Sequence, residues 1–99
     1  MLEQVLATLE HDEAYFWATH QGAELDLLLM RRGRRFGVEI KRADAPRLTP
    51  SMHRALEDLK LDQLIVIYPG AAEYRLAERV RVCPAAWLAD PARIQRLLR

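Results

Sequence analysis

GAELDLLLMRRGRRFGVEIK, residues 22–41, reads as two strands joined by a tight basic turn. Leu25, Leu27 and Leu29 alternate with Glu24, Asp26, Leu28 and Met30 on the first strand, and Phe36, Val38 and Ile40 alternate with Gly37, Glu39 and Lys41 on the second. Successive strand side chains point to opposite faces, so each strand carries its acids on one face and an apolar row on the other. Register decides whether the acidic rows meet. A two-residue turn at Arg32-Gly33 or Gly33-Arg34 sets even positions against odd ones, and Asp26 and Glu39 then point the same way; a three-residue loop would split them. Centring on Arg32-Gly33 puts Asp26 opposite Glu39 and Glu24 opposite Lys41. Carboxylates facing each other across a ladder repel unless a cation lies between them, so this pairing reads as a site with an apolar back.

What surrounds the hairpin is limited by size. Ninety-nine residues, 51% hydrophobic, make one domain spanning 1–99, long enough for one core. No repeat or low-complexity segment is visible. The single cysteine, Cys83, cannot staple the fold and suggests a reducing compartment. The start, MLEQVLATLEHDE, lacks a basic region followed by an apolar run, and no apolar stretch reaches membrane-spanning length. A cytoplasmic protein without a membrane partner is expected.

The formal charge of +1 hides an asymmetry. Residues 1–30 hold six acids and no Lys or Arg, whereas residues 31–54 hold eight bases against two acids. The basic block, Arg31, Arg32, Arg34, Arg35, Lys41, Arg42, Arg47 and Arg54, is expected to adjoin the carboxylate face. Such a patch suits a polyanion held near a metal site.

Working outward, Leu2, Val5, Leu6 and Leu9 fall at helical spacing and predict an amphipathic helix over Leu2 to Glu10. Ala14 to Thr19 is aromatic-rich and β-prone, with Tyr15 and Trp17 expected to pack on one face, and His20-Gln21-Gly22 turns into the hairpin. Beyond Lys41, Thr49-Pro50 has the form of an N-cap followed by proline at the first helical position, and Met52, Leu56 and Leu59 mark a helix face up to about Lys60. QLIVIY, Gln63 to Tyr68, is a near-continuous apolar run of the kind found in strands covered on both sides. A crossover of this length predicts a parallel pairing. The core thus occupies about residues 1–68. Strands over Glu73 to Leu76 and Arg79 to Cys83, a helical turn from Pro84 and a last helix after Asp90-Pro91 complete residues 73–99. Trp87, Leu88, Ile94, Leu97 and Leu98 either close the core or form a self-association surface.

Familiar signatures are absent. There is no GxxxxGK[ST] or GxGxxG, so nucleotide binding has no support. His11, His20 and His53 lie too far apart for a local metal motif, and no nucleophile and base pair declares itself. Asp26, Glu39 and Lys41 remain. Two carboxylates on neighbouring strands can hold Mg²⁺ or Mn²⁺ through hard oxygens, with the backbone carbonyl of Ile40 as a further ligand. Lys41, on the face of Glu39, can orient water or neutralise charge growing on a phosphate.

The order acid, ExK, crossover helix, buried strand resembles the PD-(D/E)XK nuclease family over residues 1 to about 68, with Asp26 at the first acidic position and Glu39-Ile40-Lys41 as the ExK element. More narrowly, Tyr15-Phe-Trp17, Gly22-Ala-Glu-Leu-Asp26, Val38-Glu-Ile-Lys41, Ile67-Tyr-Pro-Gly70, Tyr74-Arg-Leu76 and Val82-Cys-Pro84 together resemble a domain of unknown function found behind AAA-type ATPase modules in bacteria and archaea. The resemblance implies a restriction-endonuclease-like α/β fold: a mixed β-sheet with an antiparallel meander, a crossover helix and flanking helices. The acid often supplied by the first helix has Glu10 or Glu13 as its only counterparts.

Two readings follow. One is a metal-dependent nuclease, acting on DNA rather than RNA, with Asp26 and Glu39 as ligands, Lys41 as the catalytic ammonium, Glu24 or Glu10 as an auxiliary acid, and Arg31, Arg32, Arg34, Arg35 and Arg42 on phosphates of the nucleic acid. The other is a non-catalytic module of the same fold, with Trp87 and the C-terminal helix mediating a homodimer or docking to an AAA-type ATPase.

Overall fold

The structure, a computed structural model, describes residues 2–16, 25–42 and 45–98. Three strands form an antiparallel meander: β1 (Glu13–Phe16), β2 (Leu27–Arg31) and β3 (Arg34–Ile40). The turn between β2 and β3 is Arg32-Gly33, with φ of 52° and 77°. Positive φ at both central residues is what a type I′ hairpin turn requires, and its twist suits the flanking strands. Leu27 therefore faces Val38, Leu29 faces Phe36, and Arg31 faces Arg34, the register expected from an Arg32-Gly33 centre.

Past β3 the chain crosses over through α2 (Pro50–Asp58); the first helix, α1 (Leu2–Thr8), lies on the other side of the sheet. The Thr49 hydroxyl accepts the Met52 N–H at 3.2 Å and Pro50 fills the first turn, as the sequence predicts. At the far end Lys60 takes φ 51°, while the Leu61 N–H reaches the Leu56 carbonyl at 3.0 Å and the Lys60 N–H that of Glu57 at 3.3 Å. This is a Schellman stop with lysine where glycine is usual, and Leu61 is driven into the core beside Leu56.

The crossover delivers β4 (Gln63–Tyr68) parallel to β3, with Val38 beside Ile65 and Glu39 beside Val66. A hairpin of β5 (Tyr74–Ala77) and β6 (Val80–Pro84) follows, and β6 pairs parallel to β4. The result is one six-stranded mixed sheet in the order β1-β2-β3-β4-β6-β5. Its period-2 pattern sorts the apolar residues into two cores. Leu27, Leu29, Phe36, Val38, Ile65, Ile67 and Cys83 pack beneath Val5 of α1 and Leu9, just past its end. Leu28, Leu64, Val66, Tyr68, Val80 and Val82 pack against Met52, Ala55 and Leu56 of α2. Continuous hydrophobicity in β4 is thus burial on both faces.

The C-terminal residues close the first core. A 3-10 turn over Ala85–Ala89, α3 (Pro91–Ile94) and a second 3-10 turn over Gln95–Leu98 bury Leu88, Ile94, Leu97 and Leu98. Trp87 is half-buried against that core, with the Arg93 guanidinium 5.3 Å from its ring centre. The Thr8 hydroxyl donates to the Leu88 carbonyl at 3.3 Å, and the Gln95 amide donates to the Thr8 carbonyl, tying this end to α1. One expectation fails: Tyr15 does not pack but stands 47% exposed, its hydroxyl donating to Glu13 at 2.7 Å. Tyr15 lies on the sheet's edge strand and is not among the residues packed with α2. Trp17 and the His20–Gly22 turn lie outside the described residues. Among the described residues no helix is long and apolar enough to cross a membrane.

Gly37 lets the second core approach the sheet. A Cβ there would stand 2.7 Å from both Leu25 Cδ1 and Leu61 Cδ1 and 3.1 Å from Leu64 Cδ1. Those leucines are buried, so Gly37→Ala is expected to lower unfolding free energy by about 1–3 kcal/mol in urea titrations; an unchanged midpoint would mean that the leucines yield freely. Cys83 supplies a pH dependence. Burial, with a smaller push from Glu73, raises its thiol from about 9 to about 12, against an opposing pull from Arg81. Below the lower value both states keep the proton and the contribution is whole; above it the unfolded chain ionises first, so stability falls as pH rises. Between about pH 8 and about pH 10 the wild type should lose about 1 kcal/mol more than Cys83→Ala, and parallel pH curves would refute the assignment.

Candidate metal centre

Asp26 lies one step before Leu27, the first paired residue of β2; Leu25 before it packs with Leu28 on the α2 side and not with Leu27 and Leu29, so the alternation expected from the sequence breaks at Asp26. The ladder ends there in two bonds: the Asp26 N–H donates to the Val38 carbonyl at 3.1 Å, and Asp26 Oδ2 accepts the Ile40 N–H at 2.7 Å. The carboxylate thus takes the place of a strand carbonyl where β2 frays. Asp26 is half-buried, so this bond is partly shielded from water.

Glu39 is the single charged residue that is buried among those described, with 4% of its surface exposed. It sits mid-sheet, between β2 and β4, on the face covered by α2. Burying a carboxylate costs several kcal/mol unless a cation compensates. Lys41, two residues on, brings its Nζ to 3.0 Å from Glu39 Oε1, and its side chain remains 30% exposed. Its backbone N–H donates to the Ile67 carbonyl at 2.8 Å, which anchors the start of the loop to β4. The ExK spacing therefore places the ammonium at the rim and the carboxylate inside.

The donor set fits a hard divalent cation. Asp26 and Glu39 offer carboxylate oxygens, and the Ile40 carbonyl leaves β3 on the same edge as the N–H that meets Asp26. Mg²⁺ is held by one or two carboxylates while keeping several waters, which matches a pair better than a closed cage. Among the described residues no group of three or more His, Cys, Asp or Glu is gathered.

The other expected site residues divide. Glu24 lies outside the described residues. Glu10 is not brought to the pair: its carboxylate receives Arg31 at 2.9 Å at the turn end of the hairpin, five strand residues or about 17 Å from Asp26. The basic block does not adjoin the carboxylates in space either. Arg31, Arg32, Arg34 and Arg35 cluster at that same far end, because the hairpin runs its length between the two groups. There Arg31 pairs with Glu10, the Arg32 N–H donates to Asp12 at 2.7 Å, Arg34 lies 5.0 Å from the Phe36 ring centre, and Arg35 donates to the Leu59 carbonyl at 3.0 Å. Arg42, exposed, is the arginine beside the ExK end. Asp12, an acid that sequence reasoning passed over, caps the turn; its position opposite an Arg-Gly turn was not recoverable without the strand pairing.

Fold and site together define a mixed α/β domain with a carboxylate pair and an adjacent lysine at the open end of a hairpin. A family model described as a domain of unknown function, DUF4143, matches residues 1–88, and the chain belongs to that family. It is 40% identical over 98 residues to an uncharacterised protein of Mycobacterium tuberculosis, Rv2008c, and equally to the uncharacterised protein Mb2031c of Mycobacterium bovis. Those alignments cover 99% of this chain and 22% of each relative, so the chain spans about a fifth of their length. No solved structure matches.

The Asp26–Ile40 bond has a measurable consequence. Asp26→Ala leaves a backbone N–H without its acceptor and should cost about 1–3 kcal/mol, whereas Asp26→Asn keeps an oxygen there and should recover most of it. Equal stability of the two variants in thermal or urea unfolding would show that the bond carries no weight.

Proposed function

We propose that this domain is a divalent-metal-dependent nuclease module with a restriction-endonuclease-like core, cleaving phosphodiester bonds in nucleic acid, DNA rather than RNA. The observation that carries the reading is a buried Glu39 with the Lys41 ammonium 3.0 Å from its carboxylate, and Asp26 hydrogen-bonded to the Ile40 N–H between those two residues. The element order helix, meander, crossover helix and parallel strand supports it, being the order that the PD-(D/E)XK resemblance implies. A bound Mg²⁺ or Mn²⁺ would supply Lewis acidity toward the phosphate and lower the pKa of its water. Asp26, Glu39 and the Ile40 carbonyl supply the oxygens that hold it. Lys41 carries a fixed positive charge at the rim, where negative charge grows on the phosphate or a water is to be turned in line. Arg42 sits where a neighbouring phosphate would pass, and Arg32 and Arg34 fall where a longer strand would meet the turn end. Arg31 and Arg35 are already engaged by Glu10 and the Leu59 carbonyl, so they hold the turn more than they reach out.

The alternative, a non-catalytic module docking to an AAA-type ATPase, is favoured by one observation: the bond to Ile40 gives Asp26 structural work apart from metal. The small share of each relative that this chain spans leaves room for such a partner in the longer proteins.

Cleavage of linear, single-stranded and branched DNA with Mg²⁺ or Mn²⁺, run beside Glu39→Gln and Lys41→Ala, decides between them. Metal-dependent cleavage is expected, falling at least about 100-fold in either variant. Cleavage that survives both substitutions, or none from a folded chain that also takes up no metal in calorimetric titration, would sink the nuclease reading.

A further inference from the structure

At the C-terminal ends of β3 and β4 the surface opens into a crevice of about 330 Å³ lined by Ile40, Lys41, Arg42, Ile67, Tyr68 and Pro69, in which Lys41 is the residue that also reaches the Glu39 carboxylate. Its walls differ from those of the clefts at the turn end, where charged groups dominate. Ile40 is half-buried and Pro69 exposed, and they present the apolar sides, while Lys41 and Arg42 stand at the mouth. The parallel pairing of β3 with β4 creates the recess: both chains leave the sheet at the same end, one into the crossover and the other into Pro69-Gly70. Crevices outside the carboxyl ends of parallel strands are where such sheets bind ligands.

Apolar walls beside cations select a ligand with a flat apolar body and an anionic group attached. A duplex presents only phosphates and sugar to a recess of this kind, because its bases are stacked and paired; a nucleotide out of the stack presents both parts. Resting on the nuclease reading, we propose that the crevice takes the base of an unpaired nucleotide next to the scissile phosphate, so that the domain acts on strand ends, flaps or branches and not on uninterrupted duplex. Ile40 and Pro69 cover the faces of the base, Arg42 meets the phosphate that follows it, and the phosphate before it falls at Lys41, whose ammonium lies against Glu39. The single chain segment Glu39–Arg42 thereby links base capture to the metal carboxylates.

The test uses the 99-residue chain and separates binding from chemistry. Affinity is measured in Ca²⁺ for a blunt duplex and for the same duplex with a three-nucleotide overhang bearing 2-aminopurine at its junction. The overhang is expected to bind about tenfold tighter, the worth of one stacked base, with a rise in 2-aminopurine emission as it leaves its neighbours. Pro69→Asp, at an exposed position, is expected to bring the two affinities within about twofold by setting a carboxylate at the crevice wall. Equal binding of the two duplexes overturns the proposal, and cleavage of blunt duplex in Mg²⁺ in that case leaves the nuclease reading standing. Overhang preference without cleavage supports the crevice and counts against the nuclease. A twofold mass in sedimentation that Pro69→Asp returns to that of one chain assigns the crevice to a second copy and overturns the proposal as well. An unmoved preference in a folded Pro69→Asp does so too.

Discussion

Two residues with positive φ, Arg32 and Gly33, determine the face on which every side chain of β2 and β3 lies. Adding or removing one residue there would flip one strand against the other: either Leu27 and Leu29 or Phe36 and Val38 would leave the core beneath α1. Apolar burial thus enforces the register, and the register in turn brings Asp26 to the Val38 carbonyl and the Ile40 N–H. Gly33 tolerates its φ freely, whereas Arg32 does so at a cost that a β-carbon imposes. The bond from the Arg32 N–H to Asp12 helps to offset that cost and ties the turn to the segment leading into β1.

Glu39 is the point at which this framework departs from good packing. A buried carboxylate in the middle of a sheet is a poor choice for stability alone, and an apolar residue of similar volume is often neutral or better at such a position. The surrounding core is otherwise uniform: Leu64, Val66 and Val82 on the same face are fully buried aliphatics. Lys41 compensates the charge from the rim, and Gly37, two residues before Glu39, draws three leucines close on the other side. Local rules broken at a single position within a consistent fold mark functional sites more often than random faults.

Most of the framework was legible because it rests on short-range chemistry. Alternation in residues 27–40, the Thr49-Pro50 cap, and the apolar run in β4 each have a local cause, and the crossover length then forces a parallel pairing, whereas Leu25, expected beside Leu27, packs in the other core. The order of β6 between β4 and β5 was not legible, since two short strands carry no signal for which edge they join. Nor was the fate of Trp87 and the last three leucines or isoleucines, where apolarity alone fits a core and an interface equally well. The arginine block misled for a plainer reason. Charges that are neighbours in sequence are not neighbours in space here, because an extended hairpin separates its turn from its open end by its whole length.

The two roles open to Asp26 are compatible. Oδ2 is fixed by the Ile40 N–H at 2.7 Å, which removes rotational freedom from the carboxylate and leaves Oδ1 as its second acceptor. Metal ligands are generally oriented by a further hydrogen bond of this kind, and the ordering entropy is then met on folding rather than on binding. Here the orienting donor belongs to the residue whose carbonyl would be the third ligand, and that residue stands between Glu39 and Lys41. Strand geometry thus couples these groups: a shift of β2 along β3 would break the Asp26 bond to the segment that carries Glu39 and Lys41. A carboxylate pair built this way depends on the hairpin register, and the hairpin register depends on the core beneath α1.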